Sequence, residues 1–386
     1  MNYSVLDYLS MIGDPGRTGA YVRALRKMVT PESVVLDLGA GFGFFAVLAA
    51  RLGARRAYAV ERNDAIGLCP ALARANGVED RVTCFQGDAR RVVLPERANI
   101  LVEDIRGALP LQAGRIRLLR HARERLLTPD ARLVATRERL WAAPARHPAP
   151  VQRDLATVGD DTFGVDLRPL RPHVVDGARR LRANADDLLL PGALLGTLDL
   201  TDIHEPNFDG TAHWSPDAPL TADGFVVWFD ADLAEGEAFS AHPGSGQSVH
   251  GSLYLPLREP LAVPPGAQLA LRFRGIEVGE DYLWSWECEI GTGSGSVLAR
   301  TPRQSTHGAL GVTRDRLSAR SDQHRPALGP EGRRWRDAIS LIDGQRSAGE
   351  IAQLLRRADA PSDGEDVGEW LRKVLDLIES GEVRQL

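Results

Sequence analysis

The chain has 386 residues, 43% of them hydrophobic, and a formal net charge of −5. That length predicts two or three globular domains, and the acidic balance excludes a general nucleic-acid binder. Its three cysteines, Cys69, Cys84 and Cys288, lack metal-ligand spacing and suggest a reducing compartment. With no signal peptide and no apolar run long enough to span a bilayer, a soluble cytoplasmic protein without a membrane partner is expected.

The chain opens on a segment, Met11 to Tyr21, with the pattern M-x-x-D-x-x-R-T-x-x-Y. Next, the apolar strand Val34–Leu38 runs into the turn Gly39-Ala40-Gly41-Phe42-Gly43. An apolar helix and a second strand, Ala57–Val60, follow, and Glu61 closes that strand. Strand, glycine turn, helix and acid-terminated strand make a nucleotide-binding βαβ unit. Gly39, Gly41 and Gly43 let backbone approach a ligand, and Glu61 is placed to accept two ribose hydroxyls. Asp37, two residues before the first glycine, suits S-adenosylmethionine (SAM) better than a dinucleotide, whose pyrophosphate disfavours a nearby carboxylate. After a third strand, Val82–Phe85, Asp88 is expected to accept a hydrogen bond from the adenine amino group. Strands at Ile100–Asp104 and Leu133–Ala135 flank a helix over Leu119–Leu127. The order predicts an α/β Rossmann-like domain with a mostly parallel sheet over residues 1–145.

From residue 146 to 300, short apolar runs such as Gly224–Phe229, Gly251–Leu255 and Gln268–Phe273 are broken by Gly, Pro and Asp. They predict an antiparallel β-barrel domain. Residues 301–330 are polar and read as a linker. In residues 331–386 the helical faces Ala338/Leu341/Ile342, Ile351/Leu354/Leu355 and Leu371/Val374/Leu375/Ile378 precede a short strand at Gly381-Glu382-Val383. Three helices and a strand predict a small winged-helix domain.

The N-terminal pattern together with the glycine motif resembles the protein arginine methyltransferases. The resemblance covers roughly residues 1 to 300 and implies a SAM domain followed by a β-barrel, often as a homodimer. It implies that Arg17 pairs with the cofactor's carboxylate and that Met11 packs near the reactive methyl. The family grips its substrate guanidinium with two glutamates of one loop. Val102-Glu103-Asp104-Ile105-Arg106-Gly107 matches the first half, which makes Glu103 catalytic and substrate-binding. Gln112 stands where the second glutamate belongs, and supplies an acceptor without charge. The family's Thr-His-Trp loop implies a histidine paired with Asp14. Ala212-His213-Trp214 is closer in residues, whereas Ser248-Val249-His250-Gly251 has the better position. His250 is preferred, with an Asp14–His250 pair in which the carboxylate favours the protonated ring.

The tail resembles PqqD-type winged-helix domains through Leu341–Gly344, Ser347–Ile351, Asp366-Val367 and a helix ending at Gly381. Such domains bind leader peptides of ribosomal natural products at a sheet edge. The combined expectation is a SAM-dependent N-methyltransferase of a peptide. A free amino acid or small natural-product precursor is the alternative acceptor. A scaffold that binds SAM or peptide without catalysis is the alternative of another class. No metal is expected.

Overall fold

Ser4 and Asp7 form a capping box that starts α1 (Val5–Ile12). Asp14 caps α2 (Pro15–Met28), with Pro15 at a position whose N–H would be unpaired anyway. These elements come from a computed structural model, which describes residues 3–159, 161–246, 248–292, 296–309 and 325–358, with Leu371, Arg372 and Leu375. The chain divides into two units, Met1–Gly311 and Val312–Leu386.

In the first unit, β1 (Val34–Leu38), α3 (Phe44–Arg51), β2 (Arg56–Glu61), α4 (Cys69–Ala75), β3 (Val82–Gln86), β4 (Ala98–Glu103), α5 (Arg115–His121) and β5 (Leu127–Val134) follow in order. The five strands form a parallel sheet ordered β3-β2-β1-β4-β5. β1 is buried at every position, as expected of a parallel strand covered on both faces. The order reverses between β1 and β4, which opens a crevice at the carboxyl ends of these strands.

The antiparallel region begins earlier than the sequence reading placed it. β6 (Arg137–Ala145) pairs with β12 (Leu220–Ala234) over its whole length, from Arg137↔Asp232 to Ala145↔Gly224. Helix α6 (Ala149–Thr157), the small hairpin of β7 (Asp161–Thr162) and β8 (Val165–Asp166), and α7 (Arg171–Val175) come next. One sheet has the order β10-β6-β12-β14-β9, with β13 on β12; its further strands are β9 (Arg179–Leu181), β10 (Ala193–Asp199), β13 (Glu237–Ser240) and β14 (Ser252–Val263). The other joins β11 (Phe208–Trp214), β15 (Gln268–Val278), β16 (Asp281–Gly291), β17 (Val297–Arg300) and β18 (Gln304–Ser305). Trp214 and Phe225 meet across the sheets at 5.7 Å, and the Trp286 indole donates to the Pro256 carbonyl at 3.0 Å. Among the described residues the expected barrel is therefore two packed antiparallel sheets. β18 also removes Gln304 and Ser305 from the expected linker, since both pair with β16.

In the second unit, α8 (Pro330–Ser340) and α9 (Ala348–Ala358) bury Ala338, Ile351 and Ala352 with Leu371. Ser347 and Glu350 cap α9 reciprocally. Ile342 and Leu354, expected on buried faces, are exposed. Asp366, Val367, Val374, Ile378 and Gly381–Val383, on which the winged-helix expectation leans, lie outside the described residues.

Candidate active site

The glycine turn at the end of β1 follows its sequence. Gly39, Gly41 and Gly43 have φ of 73°, 56° and 84°, left-handed values that L side chains rarely adopt. A Cβ on Gly41 would lie 2.6 Å from the Tyr8 ring of α1, so helix and turn pack at backbone distance. Glu61 closes β2 and accepts from the Gly41 N–H at 2.9 Å, the Arg62 N–H at 2.7 Å and the Asn63 N–H at 2.9 Å. Its remaining lone pairs suit two ribose hydroxyls. Two expected contributors already have partners in the protein. Asp37 is buried and accepts from the Ala46 N–H at 2.9 Å, capping the first turn of α3. Burial pushes its carboxyl up to about 7. Asp88 is held by the Arg90 guanidinium at 2.5–3.0 Å, so an adenine contact requires sharing that ion pair.

Beyond the turn, the end of β4 gathers a buried charge cluster. β4 ends at Glu103, and the chain turns so that the Ile105 N–H donates to Glu103 Oε2 at 3.0 Å and the Arg106 N–H to the Asp104 carbonyl at 3.1 Å. Strand alternation therefore stops, and Asp104 enters the same cluster as Glu103. Arg17 of α2 pairs with Asp104 through Nε, while its Nη1 donates to the Met11 carbonyl and the Thr18 hydroxyl at 3.0 and 3.1 Å. Met11 thus contributes its carbonyl to this corner. Arg17 is thus already engaged by Asp104, and a cofactor carboxylate would share its guanidinium. Glycine cradle, Glu61 and Arg17 together fit SAM at its sugar and amino-acid ends.

Two cluster members escaped the sequence reading. Arg115, fully buried, donates from Nε to both Glu103 oxygens at 3.1 and 3.0 Å and also contacts Glu103 through Nη2. Its other side meets Glu138 of β6 at 2.7 and 2.9 Å. Arg106 ties Glu138 at 2.6 Å to Asp104 and to the Tyr21 hydroxyl. Its Nη2 is buried without a hydrogen-bond partner. Burial would raise the Glu103 carboxyl, but the Arg115 and Arg106 guanidiniums outweigh it and hold the group below its usual range. Gln112 is half-buried on the loop; its main-chain carbonyl accepts the Arg115 main-chain N–H at 2.9 Å, and its side chain covers Gly107. The carboxylate that stands opposite Glu103 across Arg115 is thus Glu138, contributed by another strand.

Of the two candidate histidines, His250 lies by the cluster and His213 is exposed on β11. Asp14 reaches that loop through the Val249 N–H at 2.9 Å, not through the ring. His250 Nε2 instead lies 3.7 Å from Asp104 Oδ1, and Phe239 stacks on the ring at 5.8 Å. Burial outweighs the Asp104 charge and lowers His250 to about 4, so the ring is neutral at pH 7, contrary to expectation. As pH falls through 6.5 an unfolded His250 takes a proton and the folded one does not, so stability is lost between about pH 6.5 and 4. Asp37 titrates in the opposite sense over this range, so the comparison needs a variant. His250→Gln is expected to gain stability relative to wild type by up to about 3 kcal/mol between pH 7 and pH 4, read by denaturant unfolding. A pH-independent difference would place His250 in a wetter site.

The fold is that of a class I SAM-dependent methyltransferase domain, similar to the protein arginine methyltransferases, and the residues of the crevice suit S-adenosylmethionine as cofactor. A model of the TRM5/TYW2 methyltransferase domain matches residues 17–108. Protein arginine N-methyltransferase 2 of Dictyostelium discoideum is 26% identical over 202 residues, covering 50% of this chain and 39% of that protein. The probable histone-arginine methyltransferase CARM1 of Oryza sativa subsp. indica is 29% identical over 285 residues, covering 69% of this chain and 54% of that protein. The chain thus spans about half or less of the length of these curated relatives. The fold matches the Trypanosoma brucei PRMT1 enzyme-prozyme complex with AdoHcy at a TM-score of 0.69 and 20% identity, over 77% of this chain and 97% of that one.

Among the described residues no group of side chains has metal-binding geometry, and no helix is long and apolar enough to cross a membrane.

Proposed function

We propose that the chain methylates a nitrogen of a peptide, such as a ribosomal natural-product precursor. The observation that carries this reading is the left-handed glycine turn hydrogen-bonded to Glu61, with Arg17 beside it at the end of β4. Bound SAM supplies a methyl group made electrophilic by its sulfonium. The residues of the chain position the acceptor nitrogen in near-attack geometry. The Glu103–Arg115–Glu138 cluster fixes the wall against which the acceptor lies. His250, neutral, takes up the proton that the acceptor releases, directly or through water. Asp14 holds the loop that carries it. We place the protein in the cytoplasm.

Glu103→Gln is expected to lower turnover about tenfold or more while SAM still binds. Unchanged turnover would remove Glu103 from catalysis.

The peptide assignment rests on the separate C-terminal unit and its likeness to leader-binding domains. Deleting residues 331–386 should weaken affinity for a leader-bearing peptide at unchanged SAM affinity. An unchanged specificity constant would point to a free amino acid or small precursor.

The saturation of Glu103 by Arg115 favours one further reading, a scaffold that binds SAM without transfer. Incubation with labelled SAM and a host extract distinguishes them, since a scaffold transfers no label.

A further inference from the structure

We infer that Arg115 is a resident guanidinium filling the cationic seat of this site, and that the acceptor is an uncharged nitrogen of the imidazole type. The inference rests on the methyltransferase reading and narrows its substrate class.

Three carboxylates, Glu103, Asp104 and Glu138, face three guanidiniums, Arg17, Arg106 and Arg115. All six side chains are at most 8% exposed. Opposite charges are matched one to one, and the nearby His250 is neutral. A planar guanidinium between two carboxylates is the arrangement by which a protein recognises a cationic nitrogen. Here the chain supplies that cation itself. Ala113 and Gly114, at φ 51° and 66°, turn the backbone so that Arg115 begins α5 with its side chain directed inward. Left-handed backbone at an alanine is unfavourable and persists because the surroundings impose it. An arriving guanidinium or ammonium would be a fourth buried cation beside a cluster whose three carboxylates are already paired, which low-dielectric surroundings penalise heavily.

A neutral nitrogen avoids this. Its lone pair forms the N–C bond as the methyl's C–S bond breaks, and sulfur keeps the electron pair. The acceptor's N–H proton then passes by way of His250 to water.

The test uses the full chain and has two arms. In the first, wild type saturated with S-adenosylhomocysteine is titrated with an arginine–glycine peptide by calorimetry, and with labelled SAM the same peptide is assayed for methylarginine. No binding and no label are expected; either one overturns the inference. In the second, Arg115→Ala is melted with and without 10 mM guanidinium chloride. The ion is expected to raise its melting temperature by about 3 °C and leave wild type unmoved. No shift in a folded Arg115→Ala would show that the seat does not recognise guanidinium and would overturn the inference. Should the variant not fold, the wild-type arm decides. A separate titration of wild type with SAM distinguishes failure of the methyltransferase reading, because the guanidinium response of Arg115→Ala does not depend on the cofactor.

Discussion

Gly41→Arg is expected to abolish SAM binding, with a loss of at least about 100-fold, or about 3 kcal/mol, in calorimetry. Three effects coincide at this residue. Its φ of 56° is left-handed, and a side chain there strains the backbone. A Cβ would collide with the Tyr8 ring 2.6 Å away, which displaces α1 from the cleft. The Gly41 N–H also holds Glu61 in place, so distortion of the turn reaches the residue assigned to the ribose. Far-ultraviolet circular dichroism should remain close to wild type, because the turn lies outside the sheet ladder. Normal affinity in the variant would contradict the cofactor assignment.

Glu138→Gln is expected to destabilise the first unit by about 3–5 kcal/mol, the range for removing one partner of a buried ion pair. Glu138 is fully buried and receives Arg106 at 2.6 Å and Arg115 at 2.7 and 2.9 Å. Loss of its charge leaves three buried guanidiniums, Arg17, Arg106 and Arg115, sharing Glu103 and Asp104. Glutamine keeps the size and one acceptor oxygen, but an amide hydrogen bond is weaker than a charge-assisted one and does not neutralise the second guanidinium. Urea unfolding followed by tryptophan fluorescence measures the difference. A change below about 1 kcal/mol would mean that the cluster is well hydrated.

What was legible in the sequence was local. The glycine turn, Glu61 and the strands β1, β2 and β4 are contiguous signals, and backbone sterics alone dictate much of their geometry. The segment from Met11 to Tyr21 was legible as a pattern, and Asp14, Arg17 and Tyr21 all reach the end of β4 or the histidine loop. What stayed hidden depends on partners distant in the chain. The place of Asp104 is one case, because the Glu103 side chain itself turns the backbone by accepting the Ile105 N–H. Arg115 and Glu138 were missed because each looks like ordinary surface charge, although a signal was present. Glu138 is in phase with the buried Leu140 and Ala142 along β6, and Arg115 with the buried Leu119 and Ala122 along the helix that begins at α5. A charge in register with an apolar face implies a buried partner of opposite sign. Each of these two is the other's partner. The boundary near residue 145 was misplaced because composition changes there, whereas sheet membership changes at Arg137.

Gln112 illustrates a different limit. Counting along a loop put it at the second acidic position, yet in space that role falls to a residue on another strand. Sequence position sets backbone neighbours, and the charge balance of a buried site is set by whatever the fold brings within about 3 Å.

The most direct test is a crystal of the full chain grown with S-adenosylhomocysteine. The account predicts the compound in the crevice over the glycine turn, with ribose hydroxyls on Glu61 and its carboxylate on Arg17. An empty crevice, or a different nucleotide bound there, would contradict it.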